Sequence, residues 1–586
     1  MDYYHKLLTF LVSGALVLTT LSTWQLESRR GGGSIQPRVA IVTGADSSSE
    51  VHDTPRNGEA CTQPREKRDQ MQHPLCPHRQ VRFFPRTDGT FSNSQPGQDE
   101  IKSSRITSGK YSWFEIIHRR PFHVCDEIEI RIHARSANNE PKEYGGDYFR
   151  IKVYTVNATF NASTTPDGEV WDHRNGTYSA YVTLKWEGLT RINVTLVHPS
   201  EAVYLLETYR HTRPTRFNFN GLFVSGNVSE DVSCNFMPWS NKESYCNFVD
   251  KASGIPWYCE KPSKKRLRCS DWRFHRRYLN VMKEGELNPL RASEKMAFDR
   301  IDEPVHGPVR QVQVGRQVQG SIQHAIEKLP GCDPRSDLKP YRLAGFYMNN
   351  VWYSPYCKLR KFSGQESMLN CLANRHWYYY GDSTIRQLFS YVTDVLPLPR
   401  TRENDNYDTC SRINATNEER NIQMYYEFHY LPIHHTTWLD MDLIRVEPAY
   451  FKAIRSHIDV VIVVSIWAHY THLPLWFFRE RIHAVLDAAD ELYSRNSRSV
   501  VILKSANTRN HEDRVRSIVS SDWSALRLFE IAREMAAAHP RVGFLNAWDI
   551  SSAQFAKDEI HPLPPHAQNL NRILTYSCNN EIKKKN

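Results

Sequence analysis

The period of the apolar residues changes once along this 586-residue chain, and that change limits the architectures open to it. Between Ile106 and Gly226, five stretches alternate apolar and polar residues at period two: "FEIIHRR", "EIEIRIHARS", "YFRIKVYTV", "TYSAYVTLKW" and "TRINVTLVHP". Alternation of this kind gives each strand one buried face. Turn signals such as "RNGT" and "EGL" separate them, which predicts antiparallel pairing. From His376 onward the pattern is different. "HWYYY", "IQMYYEFHYLP", "IDVVIVVSIW", "SVVILKSA" and "RVGFLNAWDI" read as strands, several of them apolar throughout. Helical periodicity lies between them, over Thr384 to Leu396 and Ser521 to Ala538. A third helix face is formed by Phe478, Ile482, Val485, Leu486, Ala489, Leu492 and Tyr493. Strand and helix in alternation predict an α/β unit with a mainly parallel sheet.

The resulting expectation is a multidomain chain: an N-terminal immunoglobulin-like β-sandwich followed by an α/β domain. No Cys–Trp–Cys signature accompanies the sandwich strands, so an antibody-like domain is not implied. Residues 1–25 read as a signal anchor or signal peptide, and the uncharged run from Leu7 to Trp24 is about long enough to span a hydrocarbon core. The poor small-residue cleavage site in "LSTWQLES" favours an anchor. Residues 26–104, rich in Gly, Ser, Pro and Gln, read as a flexible stem. Within the stem, Arg65-Glu66-Lys67-Arg68 has the spacing of a dibasic processing site, which would leave Asp69 as the new N-terminus. Residues 105–275 hold the sandwich with a Cys-rich extension, 276–340 a connecting region, and 341–586 the α/β domain.

Compartment follows from the cysteines and sequons. Six Asn-x-Ser/Thr acceptors occur, at Asn157, Asn161, Asn175, Asn193, Asn227 and Asn414, five of them clustered ahead of residue 230. The 12 cysteines are even in number. Cys234, Cys246, Cys259 and Cys269 form a local cluster without a C-x-x-C pair, which favours disulfides over zinc and a staple for an irregular extension. Secretory-pathway placement, luminal or extracellular, is expected, and it argues against a nucleic-acid partner despite the net charge of +10. The basic runs "KKRLR" and "KKKN" read as solvated faces, and "HYTH" and "IHH" lack a third ligand, so no metal is expected.

The chemistry-bearing stretch is "HWYYYGDSTIRQLFSYV". Ser383 follows a predicted strand and a Gly381-Asp382 turn and opens a helix, where first-turn N–H groups can receive charge developing on a carbonyl oxygen. Alone, Gly-Asp-Ser is more often a turn with a helix cap. A serine nucleophile needs a base with its own orienting group. After the last strand comes "AKDEIHP", in which Asp558 and His561 share one side of a turn, so the carboxylate can hold Nδ1–H and leave Nε2 for Ser383. Asp-x-x-His alone is more often a surface pair.

"GDSTIRQLF", including Arg386, and "DEIHP" resemble the first and last blocks of the SGNH/GDSL hydrolases, more narrowly the PC-esterases. A glycosylated, Cys-rich sandwich ahead of them is similar to neurexophilin, so the whole from about residue 100 resembles the neurexophilin and PC-esterase domain family. The resemblance implies an SGNH-like three-layer fold and O-acyl transfer or esterase chemistry on cell-surface glycans, sialylated ones among them. By that resemblance Ser383 would be the nucleophile, His561 the base and then acid, and Asp558 its orienting residue. No Gly-x-Asn-Asp block is present. The matching strand ends, "SIWAHYTHLP" and "LKSANTR", offer His469 and Asn507 as oxyanion donors, beside Gly381, Asp382 and Arg386 as support. No permanently bound cofactor is expected, and with no Gly-rich phosphate loop the acyl donor is unassigned. The competing expectation is a receptor-binding protein, neurexophilin-like, with an inactive esterase-like half.

Overall fold

The computed structural model describes residues 71–81 and 101–578, apart from 119–120, 216, 240–243, 251–252, 278–289, 317–320, 340–341, 403–410, 434–436, 444–446, 556–560 and 563. The apolar run from Leu7 to Trp24, the Arg65–Arg68 site, Cys61, Cys410 and Asp558 therefore lie outside the described residues. Among those described, no helix is long and apolar enough to cross a membrane.

The protein is multidomain and sheet-rich. Period-two alternation is realised as expected in a four-stranded antiparallel sheet, containing Trp113–Ile116, Glu127–His133 and Thr177–Thr183, and in a second sheet built on Tyr148–Val156 and Gly188–His198. Ile128, Ile130 and Ile132 from one sheet and Phe149, Ile151, Val153, Ile192, Val194 and Leu196 from the other enter a single apolar cluster. The second sheet also recruits distant segments: Glu303–Val305 and Gln311–Gly315 pair with Gly188–His198, and Phe346–Met348 pairs with Asn161–Thr164. Residues 303–315, read from sequence as connecting region, and 346–348, read as the start of the α/β domain, thus complete this sheet. A helix at Ser200–Thr212, which no periodicity had indicated, packs Ala202, Leu205, Leu206 and Tyr209 into a smaller cluster.

The Cys-rich segment is regular, not irregular as expected. Phe219–Ser225, Val228–Asn235, Tyr245–Val249, Pro256–Glu260 and Trp272–Arg277 form an antiparallel sheet, crossed by the Cys234–Cys259 and Cys246–Cys269 disulfides. Leu439–Asp440 adds a sixth strand from the C-terminal half, and Arg273 bonds to Asp440 at 2.6 Å. Three further disulfides are present: Cys76–Cys125, Cys332–Cys357 and Cys371–Cys578. The last closes the C-terminal half end to end.

That half contains β1 (Arg375–Gly381), α1 (Ser383–Val395), β2 (Ile422–Phe428), β3 (Val460–Ser465), α2 (Leu475–Arg495), β4 (Val500–Lys504), α3 (Asp522–Ala538), β5 (Gly543–Leu545), α4 (Ala547–Ala553) and α5 (Pro564–Cys578). The five strands pair in parallel in the order β2-β1-β3-β4-β5. Two antiparallel strands, Arg400–Arg402 and Ile413–Asn417, extend the edge beside β2. β5 is shorter than "RVGFLNAWDI" had suggested. Asn546 accepts a hydrogen bond from the Asp549 N–H, and this cap starts α4 in the middle of the apparent strand. In the observed order the chain moves from β1 to β2 on one side and then to β3 on the other. The crevice above the C-terminal ends of β1 and β3 is the position where open α/β sheets receive ligands.

Candidate active site

Ser383 sits at that crevice because of the two residues before it. Gly381 has φ +145°, and a Cβ there would lie 1.7 Å from the Ser465 carbonyl oxygen at the end of β3. Only glycine lets β1 run so close to β3 while the chain turns. Asp382 then caps α1. Its Oδ1 accepts from the Thr384 N–H (2.9 Å) and hydroxyl (2.6 Å), and its backbone carbonyl accepts from the Ile385 and Arg386 N–H groups. The other carboxylate oxygen accepts from Ala468 N at 2.7 Å, tying the β3 exit loop to the turn. Asp382 is fully buried. Burial pushes its carboxyl up, against these hydrogen bonds and the charge of Lys504. Lys504, at the end of β4, is itself buried and pushed down to about 8, with Asp382 opposing that shift. Asp382 is therefore a buried junction between three strand ends.

The half-buried Ser383 places Oγ 3.3 Å from Nε2 of His561. Burial holds His561 down at about 4, reinforced by the positive charges of Arg386, Arg509 and Lys504. At neutral pH the imidazole is uncharged and can accept the hydroxyl proton at Nε2. Nδ1 of His561 is buried and meets no hydrogen-bond partner among the described residues; Asp558 lies outside them. Of the first-turn N–H groups, those of Thr384, Ile385 and Arg386 are committed to Asp382, whereas the Ser383 N–H makes no hydrogen bond among the described residues.

The candidate oxyanion donors are placed less simply. Buried Asn507 turns Nδ2 to the Thr508 carbonyl at 3.2 Å. His469 follows Ala468, and its Nδ1 is 2.8 Å from Nε2 of His429. The other nitrogen of His429 meets the Tyr430 carbonyl, which only accepts, so His429 Nδ1 carries the proton. Burial keeps His429 neutral, with His469 and Arg481 adding to the effect. Its Nε2 must then accept from His469 Nδ1–H. This tautomer leaves Nε2 of neutral His469 an acceptor, able to donate only when the ring is protonated.

Sequence reasoning passed over His429, Lys504 and Arg509. Lys504 ends an otherwise apolar strand, a signal that could have marked it; the other two carry none. Arg509 is held by its N–H bond to Asp522 Oδ1 (2.8 Å), and Asp522 Oδ2 takes the Tyr148 hydroxyl at 2.9 Å. Tyr148 begins the N-terminal strand Tyr148–Val156, so that half supports a loop whose charge reaches His561.

Two family models match the chain. Residues 97–284 match Neurexophilin, and residues 352–578 match the NXPE family member 4-like C-terminal domain. Together the two matches support the NXPE family for this chain. The first match takes in the four-stranded and Cys-rich sheets, and the second takes in β1 to α5 with Ser383 and His561. The two family matches and the five disulfides among the described residues agree with a secreted or luminal protein.

Proposed function

We propose that this NXPE-family protein is a serine-dependent acyl-transfer enzyme of the secretory pathway, an O-acetyltransferase or O-acetyl esterase acting on cell-surface glycans, sialylated glycoproteins among them. The observation that carries this reading is the 3.3 Å approach of Ser383 Oγ to His561 Nε2 above the β1–β3 crevice. In this reading the C-terminal half has the SGNH-like three-layer fold and the N-terminal half is an immunoglobulin-like sandwich. The protein resides in the ER or Golgi as a type II membrane protein, or is released.

Ser383 attacks the acyl carbonyl while His561 Nε2 takes the hydroxyl proton, with Asp558 orienting the ring through Nδ1. The tetrahedral oxyanion is received by the Ser383 N–H. Collapse breaks the bond to the leaving group, which takes the proton from His561, and leaves an ester on Ser383. A sugar hydroxyl then gives its proton to His561 and attacks that ester, and collapse returns the proton to Ser383 Oγ. If water replaces the sugar, the outcome is hydrolysis. Arg386, Arg509 and Lys504 give the site a positive field suited to an anionic sugar.

Expression of the luminal part with and without Ser383→Ala, followed by mass spectrometry of glycan O-acetylation, tests the reading. Altered acetylation with wild type alone is expected. The same acetylation with wild type, variant and empty vector favours the second reading, a receptor-binding role for the sandwich, which the Neurexophilin match over 97–284 supports.

A further inference from the structure

β4 pairs with β3, and the loop that follows it from Ser505 leaves the sheet at the same C-terminal edge as the Ser383 crevice. Three contacts fix the backbone of this loop around Arg509. The Thr508 N–H donates to Ser551 Oγ of α4 at 2.9 Å. The Arg509 N–H donates to Asp522 Oδ1, at the start of α3, at 2.8 Å. Asn510 Oδ1 accepts from Arg150 Nη2 of the N-terminal half at 2.5 Å. The chain is therefore held at Arg509 and on both sides of it.

The side chain is not committed in the same way. Arg509 is only 4% exposed, yet its guanidinium makes one long hydrogen bond, from Nε to the Asn510 carbonyl at 3.5 Å. Among the described residues no carboxylate lies within ion-pair distance of it. The arginines just beyond it are paired, Arg514 with Asp299 at 2.7 Å and Arg516 with Asp513 at 3.1 Å. A buried guanidinium without a counter-ion is rare, because one weak hydrogen bond does not offset its removal from water. Burial pushes Arg509 down; Asp522, Glu512 and Asp513 oppose that shift and Arg516 adds to it. The charge of Arg509 also reaches His561, together with those of Arg386 and Lys504, and His561 Nε2 stands 3.3 Å from Ser383 Oγ. Lys504 has Asp382 as its own neighbouring charge. A guanidinium with both Nη groups uncommitted presents a planar fork that matches a carboxylate.

We propose that Arg509 is a specificity-determining residue that binds the carboxylate of an acidic sugar while the reacting oxygen of that sugar faces Ser383. The inference rests on the acyl-transfer reading above and assigns the group that selects its substrate. The carboxylate supplies the counter-charge that the fold withholds, and the clamped loop leaves little to be ordered on binding. Sialic and uronic acids share this carboxylate, and the test separates them.

The disulfide-bonded luminal protein is labelled at Ser383 with a fluorophosphonate at pH 7.5, where His561 is neutral with or without the Arg509 charge. The competitors are the methyl glycosides of N-acetylneuraminic acid and of glucuronic acid, each set against its carboxyl methyl ester. At least one acid protects Ser383 at a concentration at least about 10-fold below that of its ester, the size expected for a charge-assisted pair. The acid that does so identifies the sugar. Arg509→Gln brings acid and ester to within about twofold, and Arg509→Lys keeps part of the preference. This ratio compares two ligands on one protein, so a loss of stability or of labelling rate does not move it. In wild-type protein, modification of Arg509 by phenylglyoxal, read by peptide mass spectrometry, is blocked by the acid and not by the ester, which decides the point even if the variants fail to fold. Equal protection by acid and ester, no protection by either, an undiminished preference in Arg509→Gln, or phenylglyoxal modification of Arg509 that the acid does not slow overturns the proposal while Ser383 is still labelled. Absence of label on wild-type Ser383 instead removes the acyl-transfer reading, and this proposal with it.

Discussion

Asp382→Asn isolates the junction beneath Ser383. The substitution keeps size and shape, and asparagine caps helices as well as aspartate, so the Thr384 contacts survive. Ala468 is where the damage falls. Its N–H now faces an amide NH2 in place of a carboxylate oxygen, and a buried donor left unsatisfied costs about 1–3 kcal/mol. Lys504 also loses its nearby negative charge. Its ammonium already titrates near 8, so it responds by giving up its proton, which limits this second loss to about 1–2 kcal/mol. The sum, about 2–5 kcal/mol, corresponds to a Tm drop of roughly 5–15 °C for a domain of this size.

The pH dependence has a definite sign. Lys504 has a lower pKa folded than unfolded, so between about 8 and 10.5 the unfolded chain holds more protons and its contribution makes stability rise with pH. In Asp382→Asn that rise begins at lower pH. Urea titrations of wild type, Asp382→Asn, Lys504→Met and the double variant form the assay. Lys504→Met recovers part of the loss in the Asp382→Asn background, because it removes the uncompensated charge. Equal effects of Lys504→Met in both backgrounds, or an Asp382→Asn loss below about 1 kcal/mol, would refute the reasoning.

In the proposed mechanism ester hydrolysis requires neutral His561, so its acid limb is expected near pH 4 to 5, and Arg386→Gln or Arg509→Gln moves that limb upward toward 6.5; a pH–rate profile showing a downward move contradicts the electrostatics. Acid also destabilises the fold. His275 and His566 are held near 3 and His561 near 4, so the unfolded chain binds protons first as pH falls from 6.5, and the urea midpoint is lower at pH 5 than at 7.5; Asp147, raised to about 6 by burial, offsets a part of this between 6 and 3.8. Gly381→Ala fails to give folded protein or lowers Tm far more than Gly226→Ala, where φ is also positive but a Cβ meets nothing within 4 Å, and parallel expression with circular dichroism compares them.

Strands such as Glu127–His133 and Tyr148–Val156 could be read because seven to nine residues of strict alternation sustain a signal. Glu303–Val305, Phe346–Met348 and Val351–Tyr353 could not, since three residues are too few to show a period. The Cys-rich sheet was hidden for another reason: its core is supplied partly by disulfides and partly by neighbours from the C-terminal half, so its own sequence need not alternate. Local chemistry at the site was legible. The turn, the cap and the helix start at Gly381, Asp382 and Ser383 follow from adjacent residues. What Asp382 does with its second oxygen depends on Ala468, and the state of His469 depends on His429, contacts that only the β2-β1-β3 order creates.

A fluorophosphonate probe, which phosphonylates a serine only when a base activates it, measures the central claim directly. Peptide mass spectrometry of the labelled luminal protein is expected to find the adduct on Ser383, with Ser383→Ala unlabelled and His561→Ala slowed by at least about 100-fold. Labelling of Ser383 at the same rate with and without the His561 imidazole, or no adduct on Ser383 in folded wild-type protein, would contradict the account.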